Sequence, residues 1–136
     1  MAEYQVRPAT PQDATAIALI YNQGIEDRLA TLETELRTPE ERHQWLSARS
    51  PRHPVILSVY VERGWRGKGV GRVLLARLIE LGREHGYHKL VLSAFPFNKP
   101  GVALYEKLGF RTVGIYHEQG MLDGQWVDTI IMEKLL

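Results

Sequence analysis

The sequence has 136 residues, which suits a single domain over residues 1–136 with one hydrophobic core. Hydrophobic residues make up 44% and charged residues 24%, which excludes a disordered or fibrous protein. A net charge of +1 argues against nucleic acid or an anionic membrane as partner, and the lack of cysteine excludes disulfides and thiolate metal sites. With no signal-peptide pattern and no membrane-spanning apolar run, we expect a cytoplasmic protein without a metal.

Two helices are predicted in the first part of the chain. Residues 4–7 suit a short strand. Thr10, Pro11 and Asp13 then form a helix-start pattern, and apolar residues at helical spacing carry that helix to about residue 24. The same start pattern predicts a second helix over residues 39–48.

Strands and helices alternate in the remainder of the chain. The predicted strands are residues 55–61, 89–95, 110–116 and 126–133, and the predicted helices are residues 70–85 and 98–108. A tight turn at Asp123 and Gly124 joins the last two strands. This order predicts an α/β or α+β layered domain with a mixed central sheet flanked by helices.

A glycine loop, residues 66–71, lies between a β-branched strand and an amphipathic helix. Unpaired backbone N–H groups and the positive end of the helix dipole converge on an anion at such a position. Glycines also let a pyrophosphate approach the backbone, and nearby arginines and lysines add positive charge. The loop therefore indicates a phosphate-bearing ligand, although a solvated turn with ordinary basic residues has the same composition.

Two better-known phosphate loops fit this segment poorly. A nucleoside-triphosphate loop requires Ser or Thr after its lysine, but Gly69 follows Lys68. In a dinucleotide loop the third glycine follows the second by three positions, but Gly71 follows Gly69 by two.

The pattern Arg/Gln-x-x-Gly-x-Gly/Ala, met by Arg66, Gly69 and Gly71, resembles the acetyl-CoA loop of the GNAT acetyltransferases. Residues 98–110 resemble that superfamily's later block, an asparagine followed by a helix that ends in Leu-Tyr-Glu-Lys-Leu-Gly-Phe. The resemblance implies the GNAT fold and acetyl-CoA as co-substrate.

Further segments, among them residues 20–26, 31–39, 58–61 and 123–128, resemble the phosphinothricin acetyltransferase group. That resemblance implies transfer of the acetyl group to the free amine of a small amino acid or glutamate analogue. Phosphinothricin, methionine sulfoximine and arsinothricin are examples, and modification of such compounds confers antibiotic or herbicide resistance. It also implies direct transfer in a ternary complex and a homodimer.

The resemblance implies a role for individual residues as well. The N–H of Val61 faces the thioester carbonyl, and the phenol of Tyr105 protonates the departing thiolate, for which a phenol is a suitable donor. Asn98 caps its helix, contacts the cofactor, or does both. The expected cofactor-binding residues are Val59, Tyr60, Val61, Arg66, Gly67, Lys68, Gly69, Val70, Gly71, Arg72, Asn98, Lys99 and Tyr105.

The general base is not identified by the sequence. Relatives carry a carboxylate two residues before the position of Ser58, where this chain has Ile56. Glu26, which we take as the first catalytic candidate, and His117 or Glu118 remain as acid-base or substrate-contacting residues. Each could equally be a solvated surface group, and water could carry the proton.

Relatives also place two strands with their turn between the segments that here meet at Ile56 and Leu57. Either this protein has lost a central hairpin of about two dozen residues, or the 136-residue sequence omits it. We favour the omission because a sheet without its middle exposes strand edges. A true loss favours a rival interpretation, a CoA-binding or dimerisation module with little activity. An acetyltransferase for another amine, such as a protein N-terminus, is the nearer rival.

Overall fold

The computed structural model describes residues 4–28, 31–33, 35–47 and 57–136. The N-terminal region forms two packed helices, α1 (Ala14–Glu26) and α2 (Pro39–Ser47). A 3-10 turn over Pro11–Asp13 precedes α1, and the Thr10 N–H donates to the Asp13 carboxylate at 2.8 Å, as the start pattern predicts. Both predicted helices are confirmed. Residues 4–7 form no strand, so that prediction is wrong.

The central part of the chain contains α3 (Val70–Glu84), β1 (Lys89–Ala94) and α4 (Lys99–Lys107). These bounds agree with the sequence prediction to within a residue or two. The helix α3 begins after Gly69, which adopts a left-handed conformation. The side chain of Asn98 accepts a hydrogen bond from the Gly101 N–H at 3.3 Å, which confirms its capping role at the start of α4.

The last two strands, β2 (Arg111–Leu122) and β3 (Gln125–Leu135), form a long hairpin. The three strands lie in the order β1-β3-β2, and each neighbouring pair is antiparallel. Asp123 and Gly124, both with positive φ, make the predicted turn. The hairpin is longer than predicted because an irregularity between Tyr116 and Gly120 lets β2 continue through a polar stretch.

Residues 57–61 lie beside β1 and extend the layer of strands. The Leu57 N–H donates to the Val91 carbonyl at 3.3 Å, and residues 58–60 share a small cavity with Ser93 and Ala94. Residues 57–61 and β1 therefore run in the same direction. Since the other strand pairs are antiparallel, the sheet is mixed, as predicted. The remainder of the predicted strand, residues 55 and 56, lies outside the described residues, as does the junction before Leu57.

The hydrophobic core lies between α3 and the sheet. Leu75 and Met132 are fully buried, and Leu92 is 1% exposed. Leu57, Ile79, Ala94 and Phe110 complete the same cluster. Because the core fixes α3 against the sheet, it also fixes the loop that begins this helix. Within the described ranges, no helix has both the length and the apolar character needed to cross a bilayer.

Candidate active site

A cavity of about 560 Å³ opens where the glycine loop, residues 59–61 and the start of α4 meet. It is large enough for a ligand of cofactor size. Its lining consists of Gly24, Val59, Tyr60, Val61, Trp65, Arg66, Gly67, Gly69, Gly71, Arg72, Asn98, Pro100, Gly101, Ala103, Leu104, Tyr105 and Lys107. Most of the predicted cofactor-binding residues are thus brought together, whereas Lys68, Val70 and Lys99 are outside this set.

The backbone of the glycine loop is exposed to the cavity. Gly67 has a φ of 74° and Gly69 a φ of 86°, a region that other L-residues adopt only with strain. A Cβ atom at either position would meet no atom of the described residues within 4 Å, so the space next to both glycines is open to a ligand. The loop leads directly into the N-terminus of α3, where backbone N–H groups lack helical partners. These features fit a pyrophosphate.

Gly71 has a different role, which is to allow a close approach. A Cβ atom there would lie 3.4 Å from Leu104 Cδ2 and 3.5 Å from Val61 Cγ2. The first turn of α3 therefore packs near both α4 and the segment that contains Val61. This packing places the N-terminal end of α3, where the phosphates are expected, next to the strand that is expected to bind the pantetheine arm.

The arginines beside the loop are paired with a carboxylate at the end of α1. Arg66 Nη1 lies 2.5 Å from an Asp27 oxygen and its Nε donates to the Val61 carbonyl at 3.2 Å, while Arg63 Nη2 lies 2.9 Å from Asp27. These two guanidinium groups lower the pKa of Asp27. Arg66 therefore braces the loop against α1 as well as lining the cavity. Asp27 was not predicted, because nothing in its sequence surroundings marks it.

The strand pair separates beside the cavity. A smaller cavity of about 30 Å³ lies between residues 57–60 and the end of β1, and Asn98 and Tyr105 also line it. Among the described residues, the Val61 N–H takes part in no backbone hydrogen bond. This donor is therefore free to meet a ligand oxygen, which is the role expected for it.

Tyr105 lines both cavities from α4. Its ring makes an edge-to-face contact with Phe110, with 6.0 Å between ring centroids. Burial raises the pKa of the Tyr105 phenol, so the hydroxyl keeps its proton at neutral pH. The side chain can therefore donate a proton into the gap between the two strands.

The candidates for the general base do not line either cavity. Glu26 is half exposed, and its carboxylate lies 3.6 Å from Arg63. His117 Nδ1 lies 3.2 Å from Asp128 on the neighbouring strand, and the Glu118 N–H donates to Asp128 at 2.8 Å. The position of Ile56 lies outside the described residues. The role of Glu26 thus stays a prediction.

Sequence reasoning missed a contact below the cavity, between Gly24 and Tyr60. A Cβ atom at Gly24 would lie 2.7 Å from two carbons of the Tyr60 ring, so α1 approaches the ring as closely as a glycine permits. A glycine within a helical pattern is the signal that could have revealed this packing, because it costs helix stability unless a close neighbour requires it.

A glycine loop at a helix start, two separating strands and a partly buried phenol are the features that the resemblance leads us to expect of an acetyl-CoA site. Residues 18–110 match the model of the acetyltransferase (GNAT) family, and the chain belongs to this family. It is an acetyl-CoA-dependent N-acetyltransferase, as the sequence resemblance implied, and the expected GNAT fold is confirmed.

Similar proteins cover nearly the whole chain. The phosphinothricin N-acetyltransferase of Streptomyces coelicolor is 28% identical, over 99% of this chain and 98% of the relative. A solved ribosomal-protein-alanine N-acetyltransferase from Brucella melitensis is 34% identical with a TM-score of 0.88, over 96% of this chain and 98% of that one. The Salmonella typhimurium protein yncA, solved with its cofactor acetyl-CoA, is 26% identical with a TM-score of 0.89, over 99% and 95%.

The length of one alignment bears on the expected hairpin. The match with the Streptomyces coelicolor protein spans 167 positions, whereas this chain has 136 residues. The relative therefore contains segments without a counterpart here, in an amount comparable with two strands and their turns.

Proposed function

We propose that the protein acetylates the free amino group of a small amino acid or glutamate analogue, such as phosphinothricin or methionine sulfoximine. The supporting observation is the Streptomyces coelicolor relative, a phosphinothricin N-acetyltransferase that matches over almost its whole length. The cavity supports the same proposal, since it joins the glycine loop to the gap between the strands. Donor and acceptor can then meet in one ternary complex.

The residues around the cavity supply the groups that direct transfer requires. When bound, acetyl-CoA supplies the activated acetyl group. The glycine loop and the start of α3 hold its phosphates, and the Val61 N–H stabilises negative charge on the carbonyl oxygen. The Tyr105 hydroxyl provides the proton for the leaving sulfur. Holding both substrates in one cavity lowers the entropic part of the barrier.

Thiol release in the presence of acetyl-CoA and single amines tests this proposal. The panel contains L-phosphinothricin, L-methionine sulfoximine, L-glutamate and a peptide with an N-terminal alanine. We expect turnover with at least one of the two glutamate analogues and background release with the peptide. Turnover with the peptide alone would replace the proposed acceptor, and background release with every amine would reject the proposed activity.

The peptide is included because a specific observation favours a protein N-terminus as acceptor. The solved Brucella melitensis structure is that of a ribosomal-protein-alanine N-acetyltransferase, and its identity to this chain is 34%. An extended peptide needs an open groove, whereas an amino acid needs enclosed polar groups. The peptide arm of the panel therefore separates the two substrate classes directly.

A second candidate function follows from the alignment length. If the 31 or so positions without a counterpart are absent from the natural protein, part of the acceptor site is absent with them. The chain would then bind CoA with little turnover. Acetyl-CoA would raise the melting temperature while thiol release stayed at background. Intact mass spectrometry of the natural protein shows which sequence is present.

We also propose that two copies of the chain associate through the outer surface of the β2–β3 hairpin. The hairpin carries exposed apolar side chains, including Val113, Met121 and Trp126, and the last two are cross-strand partners. Exposed apolar side chains that lie next to each other often mark association sites. Light scattering after size exclusion should give a dimer, and Trp126→Lys should give a monomer. A wild-type monomer would reject the proposal.

A further inference from the structure

The side chain of Tyr60 lies on the opposite face of its strand from its two neighbours. Val61 faces the start of α3, and Val59 packs against the core cluster beneath that helix. Side chains alternate along a strand, so Tyr60 points the other way, where its ring meets α1 at Gly24. Tyr60 nevertheless lines both cavities. The Tyr60 side chain therefore lies on the part of the site that is farther from the glycine loop, beside α1.

The Tyr60 ring contacts the ring of Tyr21, whose hydroxyl begins a series of polar contacts that ends in an ion pair. The rings of Tyr60 and Tyr21 have centroids 4.8 Å apart. The Tyr21 hydroxyl donates to Glu33 Oε2 at 2.8 Å. Arg37 donates to both oxygens of Glu33, at 3.1 and 3.2 Å. Arg42 lies 4.4 Å above the Tyr21 ring.

The direction of the hydrogen bonds among Arg37, Glu33 and Tyr21 is fixed by their chemistry. Arginine can only donate and an ionised carboxylate can only accept, so the Tyr21 proton must point towards Glu33. The Tyr21 oxygen is then an acceptor for other groups near it. Burial raises the pKa of Tyr60, and Tyr21 and Glu33 act in the same direction. Both phenols are therefore neutral at physiological pH, and each has an acceptor oxygen.

The segment that carries Glu33 and Arg37 is fastened to α1 and to the sheet. The Asn22 side chain donates to the Arg37 carbonyl at 2.8 Å and accepts from the Arg37 N–H at 2.7 Å. Leu32 lies so close to Gly120 that a Cβ atom there would be 2.7 Å from it. These contacts on α1 and on the sheet fix the position of Glu33 relative to Tyr21, unlike that of a carboxylate in an isolated surface ion pair.

We propose that the Tyr60 hydroxyl accepts a hydrogen bond from the amino group of the acceptor substrate, and that Glu33, acting through Tyr21, orients this hydroxyl. Tyr60 is a substrate-contacting residue in this scheme, while Tyr21 and Glu33 are positioning residues. The inference rests on the proposed function, since it assigns the acceptor side of the same site.

The arrangement suits the chemistry of amine acetylation. Only the neutral amine attacks a thioester, and a carboxylate in direct contact would favour the charged ammonium form. A neutral phenol orients an N–H group without that penalty. The two tyrosines also separate the Glu33 charge from the amine, so that the carboxylate sets a direction without binding the nitrogen itself.

Kinetics of Tyr60→Phe, Tyr21→Phe and the double variant test the proposal, with L-phosphinothricin, L-methionine sulfoximine and the alanine peptide as probes. Tyr60→Phe keeps the ring against Gly24 and should raise the acceptor KM about tenfold or more, the effect of one hydrogen bond to an amino group. Tyr21→Phe should raise it less. The double variant should match Tyr60→Phe alone, because both changes act through one hydroxyl. The role expected for residues 59–61 towards acetyl-CoA belongs to their backbone, so the KM for acetyl-CoA should stay unchanged throughout.

Two matched control variants distinguish a specific effect on the Tyr60 hydroxyl from a general loss of stability or substrate affinity. Tyr87→Phe removes a phenol hydroxyl beyond the end of α3, and Glu41→Gln removes the other carboxylate that pairs with Arg37. Both should retain the wild-type acceptor KM, while Glu33→Gln raises it as Tyr21→Phe does. The shift in melting temperature caused by acetyl-CoA should be equal in every variant.

An unchanged acceptor KM in Tyr60→Phe would overturn the inference and leave the proposed function intact. If the acceptor KM of the double variant rose by the product of the two single effects, the positioning role of Tyr21 would be overturned. A wild-type chain inactive with every amine would instead reject the proposed function, and the role of Tyr60 with it.

Discussion

Arg66 Nη1 lies 2.5 Å from the Asp27 carboxylate, so the loop expected to hold the phosphates of acetyl-CoA is attached to the end of α1. Arg63 pairs with the same carboxylate at 2.9 Å. One aspartate thus holds two arginines from the loop region. The loop is therefore part of a connected network that includes the first helix.

Replacing Asp27 with Asn should loosen the glycine loop. Partly exposed ion pairs contribute little each, so we expect a loss of about 1 kcal/mol in the free energy of unfolding and a fall of roughly 3 °C in Tm. Acetyl-CoA affinity should fall several-fold because Arg66 is released. Isothermal titration and thermal melts measure both effects. Asp123→Asn, which breaks the exposed pair with Arg28, is the control and should leave acetyl-CoA affinity unchanged.

The pairing of Asp27 also predicts a pH dependence. The folded-state pKa of Asp27 lies below its unfolded value of about 3.9. Its contribution to stability is therefore fully present above that unfolded value and is lost as the pH falls through the folded-state pKa. Below about pH 4 the wild type should lose more stability than Asp27→Asn. Parallel urea-melt curves over this pH range would contradict the assignment.

Alanine at Gly69 should impair acetyl-CoA binding through the backbone. Gly69 has a φ of 86° and Gly86, just after α3, a φ of 75°, and in the part of the chain that the structure describes no atom lies within 4 Å of a Cβ built at either. Gly69→Ala and Gly86→Ala should each cost about 1–2 kcal/mol of stability from the same left-handed strain. Only Gly69→Ala should reduce the acetyl-CoA-induced rise in Tm. An equal acetyl-CoA-induced rise in Tm in both variants would show that the loop does not bind acetyl-CoA.

Alanine at Gly24 should be harmful despite the higher helix propensity of alanine. Its Cβ atom would lie 2.7 Å from the Tyr60 ring, so the ring or α1 must move. Overpacking of this kind costs about 1–3 kcal/mol, and we expect acceptor kinetics to be impaired as well. Gly114→Ala is the control, because its Cβ atom would meet open space. Differential scanning calorimetry and the acceptor KM distinguish the two variants.

Tyr105→Phe should reduce kcat by roughly a hundredfold, the effect of losing a proton donor, while the edge-to-face contact with Phe110 keeps the fold. Because burial raises the pKa of Tyr105 above about 10, the phenol of the wild type stays protonated through neutral and mildly basic pH. Any fall in kcat caused by its ionisation should thus appear only above about pH 10. Wild-type kcat in Tyr105→Phe would reject the proton-donor role.

The sequence predicted those parts of the candidate site that are encoded in consecutive residues, since these residues line one cavity. The glycine loop, the start of α3 and the cap at Asn98 all depend on local backbone chemistry, which a short motif records. Tyr105 was found through its place in a family block. By contrast, Asp27 and Gly24 act on residues more than thirty positions away. A pattern of neighbouring residues does not predict contacts between residues so far apart in the sequence.

Two further features escaped prediction for physical reasons. The hairpin extends past residue 116 because an irregular pairing tolerates polar residues there, which a period-two pattern does not detect. The ring contact between Tyr60 and Tyr21 and the hydrogen bond from Tyr21 to Glu33 join a strand, a helix and a loop that only the tertiary fold brings together. Residues 4–7 alternate like a strand but pair with no strand among the described residues.

Trp65 lines the cavity, is half exposed, and has the Lys68 ammonium 5.2 Å from the centre of its ring. An indole in this position is a built-in fluorophore, since a nucleotide ligand entering beside it would change its solvent exposure and quench its emission. The other two tryptophans, Trp45 and Trp126, could be replaced by phenylalanine to isolate the signal. Stopped-flow fluorescence would then give the association and dissociation rates of the donor without any added dye.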